Sequence, residues 1–276
     1  MAGVLHVVAT PIGNLGDLSD RARETLAAAD LVVAEDTRRT GRLLQAMGIR
    51  ASMRSMFEAN ERERAPEIVR ALLDGRTVAL VSDGGMPLVS DPGYRLVTAC
   101  IEAGIEIRVV PGPSAVLAAL VVSGLPTDRF VFEGFLPRAA GERRARLAAL
   151  AHDPRTLVFF ESPRRVPGML RDLLTTMGDR RVALCRELTK LHEEVVRGPA
   201  STVLGALGDD PLRGEVVVVV EGDRVGTPVD MDAAVAAVRS LVVAGQRKRD
   251  AAHAVADRLG ISANELYRAL LAADAP

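Results

Sequence analysis

Short runs of valine and leucine, each closed by turn residues and each followed by a helical pattern, recur along the first half of the chain. The runs "LHVVAT", "LVVAED", "TVALVSD" and "IRVVPG" read as strands, and "DRARETLAAAD", "TRRTGRLLQAMG" and "DPGYRLVTACIEAG" as the helices between them. A strand with one wet face alternates apolar and polar residues. These runs do not alternate, so both of their faces need cover, and the arrangement that provides it is a parallel sheet between helical layers. The fold class is therefore α/β.

Local signals place several helix ends. Asp91 is expected to cap a helix whose first residue is Pro92, with Gly104 just past its end. Ser162–Pro163 repeats the start signal ahead of "RRVPGMLRDLLTTMG", where Pro167 and Gly168 should weaken the early turns. After "PGPSAVLAALVVSGLPTD" the rhythm restarts with strands "RFVFEGF", "TLVFFES", "RVALCREL" and "GEVVVVVEG" and helices near Gly141–Ala151, Ser162–Met177 and Ser201–Leu207. "LTKLHEEVVRG" reads as a loop entering a further extended segment, so this second sheet should be mixed. These changes divide the chain into an N-terminal α/β domain, 1–124, a C-terminal α/β domain, 125–225, and a helical tail, 226–276. In the tail, Ser262 and Glu265 have capping-box spacing and Ile261 with Leu266 forms a hydrophobic staple. Two short helices joined at "LGIS" have the outline of a helix-turn-helix, an outline that plain α-hairpins share.

A chain of 276 residues with 48% hydrophobic and 26% charged residues has the length for two domains and the composition of a globular protein. A formal net charge of −1 argues against indiscriminate nucleic-acid binding. Local basic clusters remain at Arg38, Arg39 and Arg42, at Arg143, Arg144 and Arg146, at Arg164 and Arg165, and at Arg247, Lys248 and Arg249. Cys100 and Cys185 sit inside apolar patterns without C-x-x-C spacing and are expected to be buried spectators. The N-terminus lacks a basic leader and no apolar run approaches the roughly 18 residues a membrane span needs, so a cytoplasmic location with no membrane partner is expected.

Absent motifs narrow the chemistry. There is no G-x-G-x-x-G after the first strand, no Walker lysine loop, no G-x-S-x-G and no H-E-x-x-H, and His6, His152, His192 and His253 form no ligand-spaced set, so no metal is expected. What remains is a series of loops at the carboxyl ends of strands: "TPIGNLGDL", "AEDTRRT", "SDGGMPLVSDPG" and "PGPSAV". Ligands of open α/β sheets bind at that edge. Glycine admits close backbone approach and proline stiffens it, so these loops suit a small polar molecule held by main chain, with Asp83 available for a hydroxyl or amine.

The succession "TPIGNL", "AEDTRRTG", "SDGGMPLVSDPGY", "PGPSA", "GLPTDRFVFEGFLP", "FFESPRR", "RELTKLHEE" and "GEVVVVVEG", from about Leu5 to Gly222, resembles the tetrapyrrole-methylase superfamily. Within it the likeness is greatest to the branch that methylates a cytidine 2′-hydroxyl of bacterial small-subunit ribosomal RNA, whose members also carry a helical tail. The resemblance implies S-adenosylmethionine held between two α/β domains of a homodimer, with ribosomal RNA, as assembled subunit, for the acceptor. Matched to the family's motifs, the cofactor residues are Pro11 and Ile12, Asp83, Gly84, Gly85 and Met86, and Ser114 and Ala115. Phe160, Leu188 and Val216 would close the site from the second domain. Two departures stand out: Gly84 and Met86 replace the family's usual alanine and threonine, and Phe57 and Ala59 replace histidines flanking the acidic residue before Asn-Glu.

Methyl transfer from a sulfonium is an in-line displacement that needs positioning rather than a covalent intermediate. A weakly acidic ribose hydroxyl needs a base or cation beside it. Glu161, Glu187 and Lys190 are the candidates, because each follows a strand of the second domain. Structural ion pairing with neighbouring arginines is the alternative role for the two carboxylates. Arg164, Arg165, Arg38 and Arg39 are candidates for RNA phosphates. Two rival functions share the cofactor: a C-methyltransferase of porphyrin precursors, and a cofactor-binding protein without catalysis.

Overall fold

Two five-stranded sheets account for both series of apolar runs. The computed structural model describes residues 2–208, 212–223, 231–243, 245–259 and 262–273. The first series is β1 (Val4–Val8), α1 (Asp20–Ala28), β2 (Leu31–Ala34), α2 (Thr37–Ala46), β3 (Met53–Ser55), α3 (Glu61–Leu73), β4 (Val78–Val81), α4 (Tyr94–Glu102), β5 (Glu106–Val110) and α5 (Ala115–Ser123). Its strands are all parallel, in the order β3-β2-β4-β1-β5. Successive residues of a strand serve opposite layers, as the period of two demands. Val33 and Leu80 pack with Ile68 and Leu72 of α3 and Leu96 of α4. Val32, Ala79 and Val81 pack with Leu26 of α1 and Leu44 of α2. Full burial of each such leucine or isoleucine contributes roughly 1.5–3 kcal/mol.

Strand β3 was not legible as an apolar run. It is a three-residue edge strand with one neighbour and an exposed arginine, so it needs no two-sided cover.

The second series is β6 (Phe130–Phe135), α6 (Ala140–Ala149), β7 (Thr156–Glu161), α7 (Val166–Met177), β8 (Arg181–Arg186), β9 (Glu194–Pro199), α8 (Ala200–Ala206) and β10 (Val216–Val220). The sheet order is β6-β7-β10-β8-β9, with β6 parallel to β7 and every other pairing antiparallel. The mixed sheet is thus as expected. Its central strand is the pentavaline β10, buried throughout. Helix α5 follows the first sheet in the chain, yet Val116, Ala119 and Leu120 pack on Val158, Ala183, Val217 and Val219 of the second. Both sheets accordingly fall in one compact unit, Met1–Ala149 with Arg155–Glu221.

A second unit comprises Leu150–Pro154 and Gly222–Pro276. In it α9 (Met231–Val243), α10 (Lys248–Leu259) and α11 (Ala263–Ala273) share a core of their own that includes Val235, Val238, Val255, Leu266 and Leu270. Ser262 Oγ accepts from Glu265 N at 3.4 Å, the expected cap. Ile261 of the staple and the boundary at 225/226 lie outside the described residues.

The structure corrects one helix start. Asp91 and Pro92 lie in a bend, and α4 begins at Tyr94 after Gly93 at φ +132°. The free amides of its first turn are satisfied by a carboxylate from α3 instead: Glu61 accepts from Gly93 N (3.1 Å), Arg95 N (2.8 Å) and Leu96 N (3.4 Å). Gly104 does stand just past the helix end, at φ +65°. Ser162–Pro163 opens a single 3₁₀ turn, Pro163–Arg165, before α7, which places Pro167 and Gly168 in the α-helix's first turn. Cys100 and Cys185 are free and buried, and among the described residues no helix is long and apolar enough to cross a membrane.

Candidate functional site

β1 and β4 are neighbours, but the chain leaves β1 past β4 towards β2 and leaves β4 past β1 towards β5. The sheet's connections therefore diverge between these two strands, which opens a crevice at their carboxyl ends. The two loops there are tied by an antiparallel bridge, Thr10 N to Gly85 O at 2.9 Å and Gly85 N to Thr10 O at 3.0 Å. Thr10 Oγ1 adds a bond to Ser82 O at 3.2 Å. Gly85 sits at φ +89°, and a Cβ on Gly84 would lie in contact with Pro11 O at 3.4 Å. Leu88 and Ser90 are held at φ +73° and +65°, strain that persists only where the surroundings enforce it.

Charge gathers behind these loops. Asp83 accepts from Asp36 N at 3.1 Å and pairs with Arg39 at 3.3 Å, so it is engaged with the loop after β2. Burial raises the pKa of both Glu35 and Asp91, and neighbouring carboxylates add to the effect. Arg38 points away, exposed and paired with Asp36 at 2.8 Å.

The facing wall comes from the second sheet. A cleft of about 690 Å³ is lined by Pro11, Ile12, Asp83, Gly84 and Ala115 on one side and by Phe160, Glu161, Leu188, Lys190 and Val216 on the other. Glu161, last residue of β7, is fully buried in its side chain. One oxygen accepts from Ser162 N at 2.7 Å; the other, 3.2 Å from Arg165, has no hydrogen-bond partner. Desolvation dominates and raises its pKa, against the opposing Ser162 amide and Arg165 charge. Cys185 also lines the cleft, but burial pushes its thiol up to about 12, which leaves it inert as a nucleophile.

Lys190 is held by two carboxylates, Glu187 at 2.7 Å and Glu215 at 3.1 Å. Burial opposes its charge, but the hydrogen bond it donates to Glu187 and the charge of Glu215 outweigh burial and raise its pKa. Lys190 is thus a cation and hydrogen-bond donor, never a base at neutral pH. Glu187 stands at φ +51° and Thr189 at φ +66°, and Glu187 Oε1 also accepts from Glu215 N at 2.9 Å. The Lys190 hydrogen bond holds its carboxyl below the usual range.

The structure brings together most of the residues singled out from sequence. Gly85, Met86, Ser114 and Glu187 stand outside the lining, and Ser114 caps α5 through Leu117 N at 3.5 Å. Of the four arginines, Arg39 lines the cleft, Arg38 and Arg164 are exposed, and Arg165 is committed inward, donating to Leu136 O at 2.6 Å and Pro137 O at 2.9 Å. Sequence reasoning missed Phe135, Asp91 and Glu215, which also line the cleft. The quoted motifs contained all three; nothing in the pattern said which side chains would turn inward. Among the described residues no group of three or more His, Cys, Asp or Glu could hold a metal.

A family model described as "Tetrapyrrole (Corrin/Porphyrin) Methylases" matches residues 4–204. A Mycobacterium tuberculosis protein named "Ribosomal RNA small subunit methyltransferase I" is 47% identical over 275 residues, covering 98% of this chain and 95% of that relative. A Thermotoga maritima protein of the same name is 49% identical over 220 residues, covering 80% of this chain and 99% of its own. Among solved structures, the Thermus thermophilus uroporphyrin-III C-methyl transferase complexed with S-adenyl homocysteine is similar at a TM-score of 0.57 and 24% identity, over 79% of this chain and 97% of that one.

Proposed function

The chain belongs to the tetrapyrrole methylase family, and from that premise we propose that it transfers a methyl group from S-adenosylmethionine to the ribose 2′-hydroxyl of a cytidine in small-subunit ribosomal RNA. It is a methyltransferase, and relatives that cover 96–98% of it, at 42–47% identity, are named for ribosomal RNA rather than for a porphyrin precursor. The observation that carries the chemistry is Glu161, a desolvated carboxylate at the cleft wall with one oxygen that takes no hydrogen bond and is paired only with Arg165.

The residues present fit the cofactor. The cleft's volume lies in the range of small-molecule sites, its interior is apolar at Ile12, Ala115, Leu188 and Val217, and the Gly84 backbone leaves room that a side chain would fill. When bound there, S-adenosylmethionine supplies an electrophilic methyl on a sulfonium. Pro11, Ile12, Gly84 and Ala115 would hold it from the first sheet, and Phe160, Leu188 and Val216 from the second. Asp83, Gly85, Met86 and Ser114 support that half of the site, Asp83 through the loop after β2 and Gly85 through its bridge to Thr10.

Glu161 would accept the proton of the ribose 2′-hydroxyl. Its raised pKa brings it nearer the acidity of its task, and general-base assistance of this kind is worth about 10²–10⁴-fold. Lys190, fixed by Glu187 and Glu215, donates to the oxygen as negative charge develops on it. Arg39 and Arg164 meet phosphates of the RNA, with Arg38 at the periphery, while Arg165 orients Glu161.

The reading extends to a cytoplasmic homodimer acting on the assembled subunit. Exposed Leu117 and Val121 on α5 support self-association, which sedimentation velocity tests. For the reaction itself, purified protein is incubated with methyl-labelled S-adenosylmethionine and small ribosomal subunits, and ribose methylation is mapped at nucleotide resolution. A single labelled cytidine ribose is expected. Label on uroporphyrinogen alone, or none on RNA, overturns the reading.

A further inference from the structure

Three phenylalanine rings meet at the end of the second sheet. Phe160 of β7 is in edge contact with Phe132, centroids 4.9 Å apart, and with Phe135, centroids 5.7 Å apart. A regular strand would not allow this, because residues 132 and 135 of one strand face opposite ways. The pairing of β6 with β7 slips between Phe132 and Gly134, so Phe132 stands opposite Val158 but Phe135 opposite Phe160. One extra residue, Glu133, is accommodated, and Gly134 at φ +65° turns the bulge. Without the slip Phe135 would stand opposite Glu161 and face the other side of the sheet. The bulge re-aims one ring, and it re-aims it into the cleft.

That ring remains 58% exposed. Phe160, the other aromatic residue among the described cleft lining, is partly buried and packs into the core beneath α5. An apolar ring that lines a cleft, is held against a second ring and still keeps more than half of its residue exposed can stack a flat apolar partner. Resting on the reading of the acceptor as RNA, we propose that Phe135 is a stacking platform for the unpaired nucleobase of the acceptor nucleotide. Proteins that act on unpaired RNA stack bases on aromatic faces in this way. Placement favours the acceptor: Phe135 and Glu161, the proposed base, line the same cleft, so a base on Phe135 keeps its ribose in the cavity that holds the carboxylate. The cofactor's adenine is the competing occupant, but the buried apolar residues of the interior, Leu188 and Val217, lie deeper than this exposed rim.

The test compares Phe135→Ala, Phe135→Leu and Phe135→Trp with the unaltered protein, each checked for its melting temperature. Two affinities are measured without turnover: S-adenosylhomocysteine by calorimetry, and short oligocytidylate by fluorescence titration in its presence. Methyl transfer to small subunits is the third readout. In the alanine and leucine variants, oligocytidylate affinity and kcat/KM on subunits should fall by about 10- to 100-fold while S-adenosylhomocysteine affinity stays within about two-fold. The tryptophan variant should retain both. Leucine keeps the apolar contact with Phe160, so its failure separates loss of a π-face from loss of packing. An equal loss of S-adenosylhomocysteine affinity assigns the ring to adenine and overturns the proposal, as does unaltered oligocytidylate binding in the alanine variant. If the unaltered protein binds oligocytidylate through Phe135 yet methylates no subunit, the platform stands and the assignment of the reaction falls.

Discussion

Glycine 214 shows how little freedom the site leaves to single residues. It adopts φ +88°, and a Cβ there would overlap the Glu187 carboxylate that steadies Lys190. Gly214→Ala should therefore destabilise the protein by about 1–3 kcal/mol in urea unfolding and lower kcat/KM without abolishing cofactor binding. Gly13 is comparable across the cleft, because a Cβ on it would run into the Lys190 side chain. Glu161 supplies a pH prediction. Its pKa is raised by burial, so the carboxylate that accepts the proton is lost as pH falls through a value above the ordinary carboxylate range. A pH–rate profile should show an acid limb there, and Glu161→Gln should erase the limb and reduce kcat by about 10²–10⁴-fold with S-adenosylhomocysteine affinity retained. The identity of these residues was plain in "FFESPRR" and "RELTKLHEE". Their division of labour was not, because Arg165, an RNA candidate by sequence, is turned inward by carbonyls 28 and 29 residues away.

At the scale of elements, α4 is capped by α3. The motif Asp91-Pro92 has the local form of a helix start, but the three amides of the first turn are bound by Glu61, more than 30 residues earlier. Glu61→Ala leaves those amides without an acceptor inside the protein and should cost about 1–3 kcal/mol in chemical denaturation. Asp91→Ala, by contrast, should leave α4 intact, since Asp91 lines the cleft instead. Amide hydrogen exchange over Tyr94–Leu96 distinguishes the two variants. At the departures Phe57 and Ala59 the turn into α3 forms without histidine, Asn60 Oδ1 accepting from Phe57 N at 2.8 Å; nothing in the structure explains the two substitutions.

At the scale of the molecule, two sheets share one compact unit and the terminal helices form another. The whole of the Thermotoga maritima relative corresponds to four fifths of this chain. A chain ended after Asp223 should therefore fold and bind S-adenosylhomocysteine with unchanged affinity in calorimetry; aggregation or loss of binding would make the helical unit integral to the cleft. The amino-acid sequence by itself determined the strand and helix rhythm, the parallel and mixed sheets, and the proline- and glycine-rich loops at their carboxyl ends, since these follow from periodicity and backbone chemistry over a few neighbouring residues. Only the tertiary structure decided that Phe135 turns into the cleft, that Glu61 caps a distant helix, and that Glu161 is buried with one oxygen left without a hydrogen bond. Each depends on a register slip, a crossing of helices or the exclusion of water by residues far apart in the chain, and no local pattern encodes those distances.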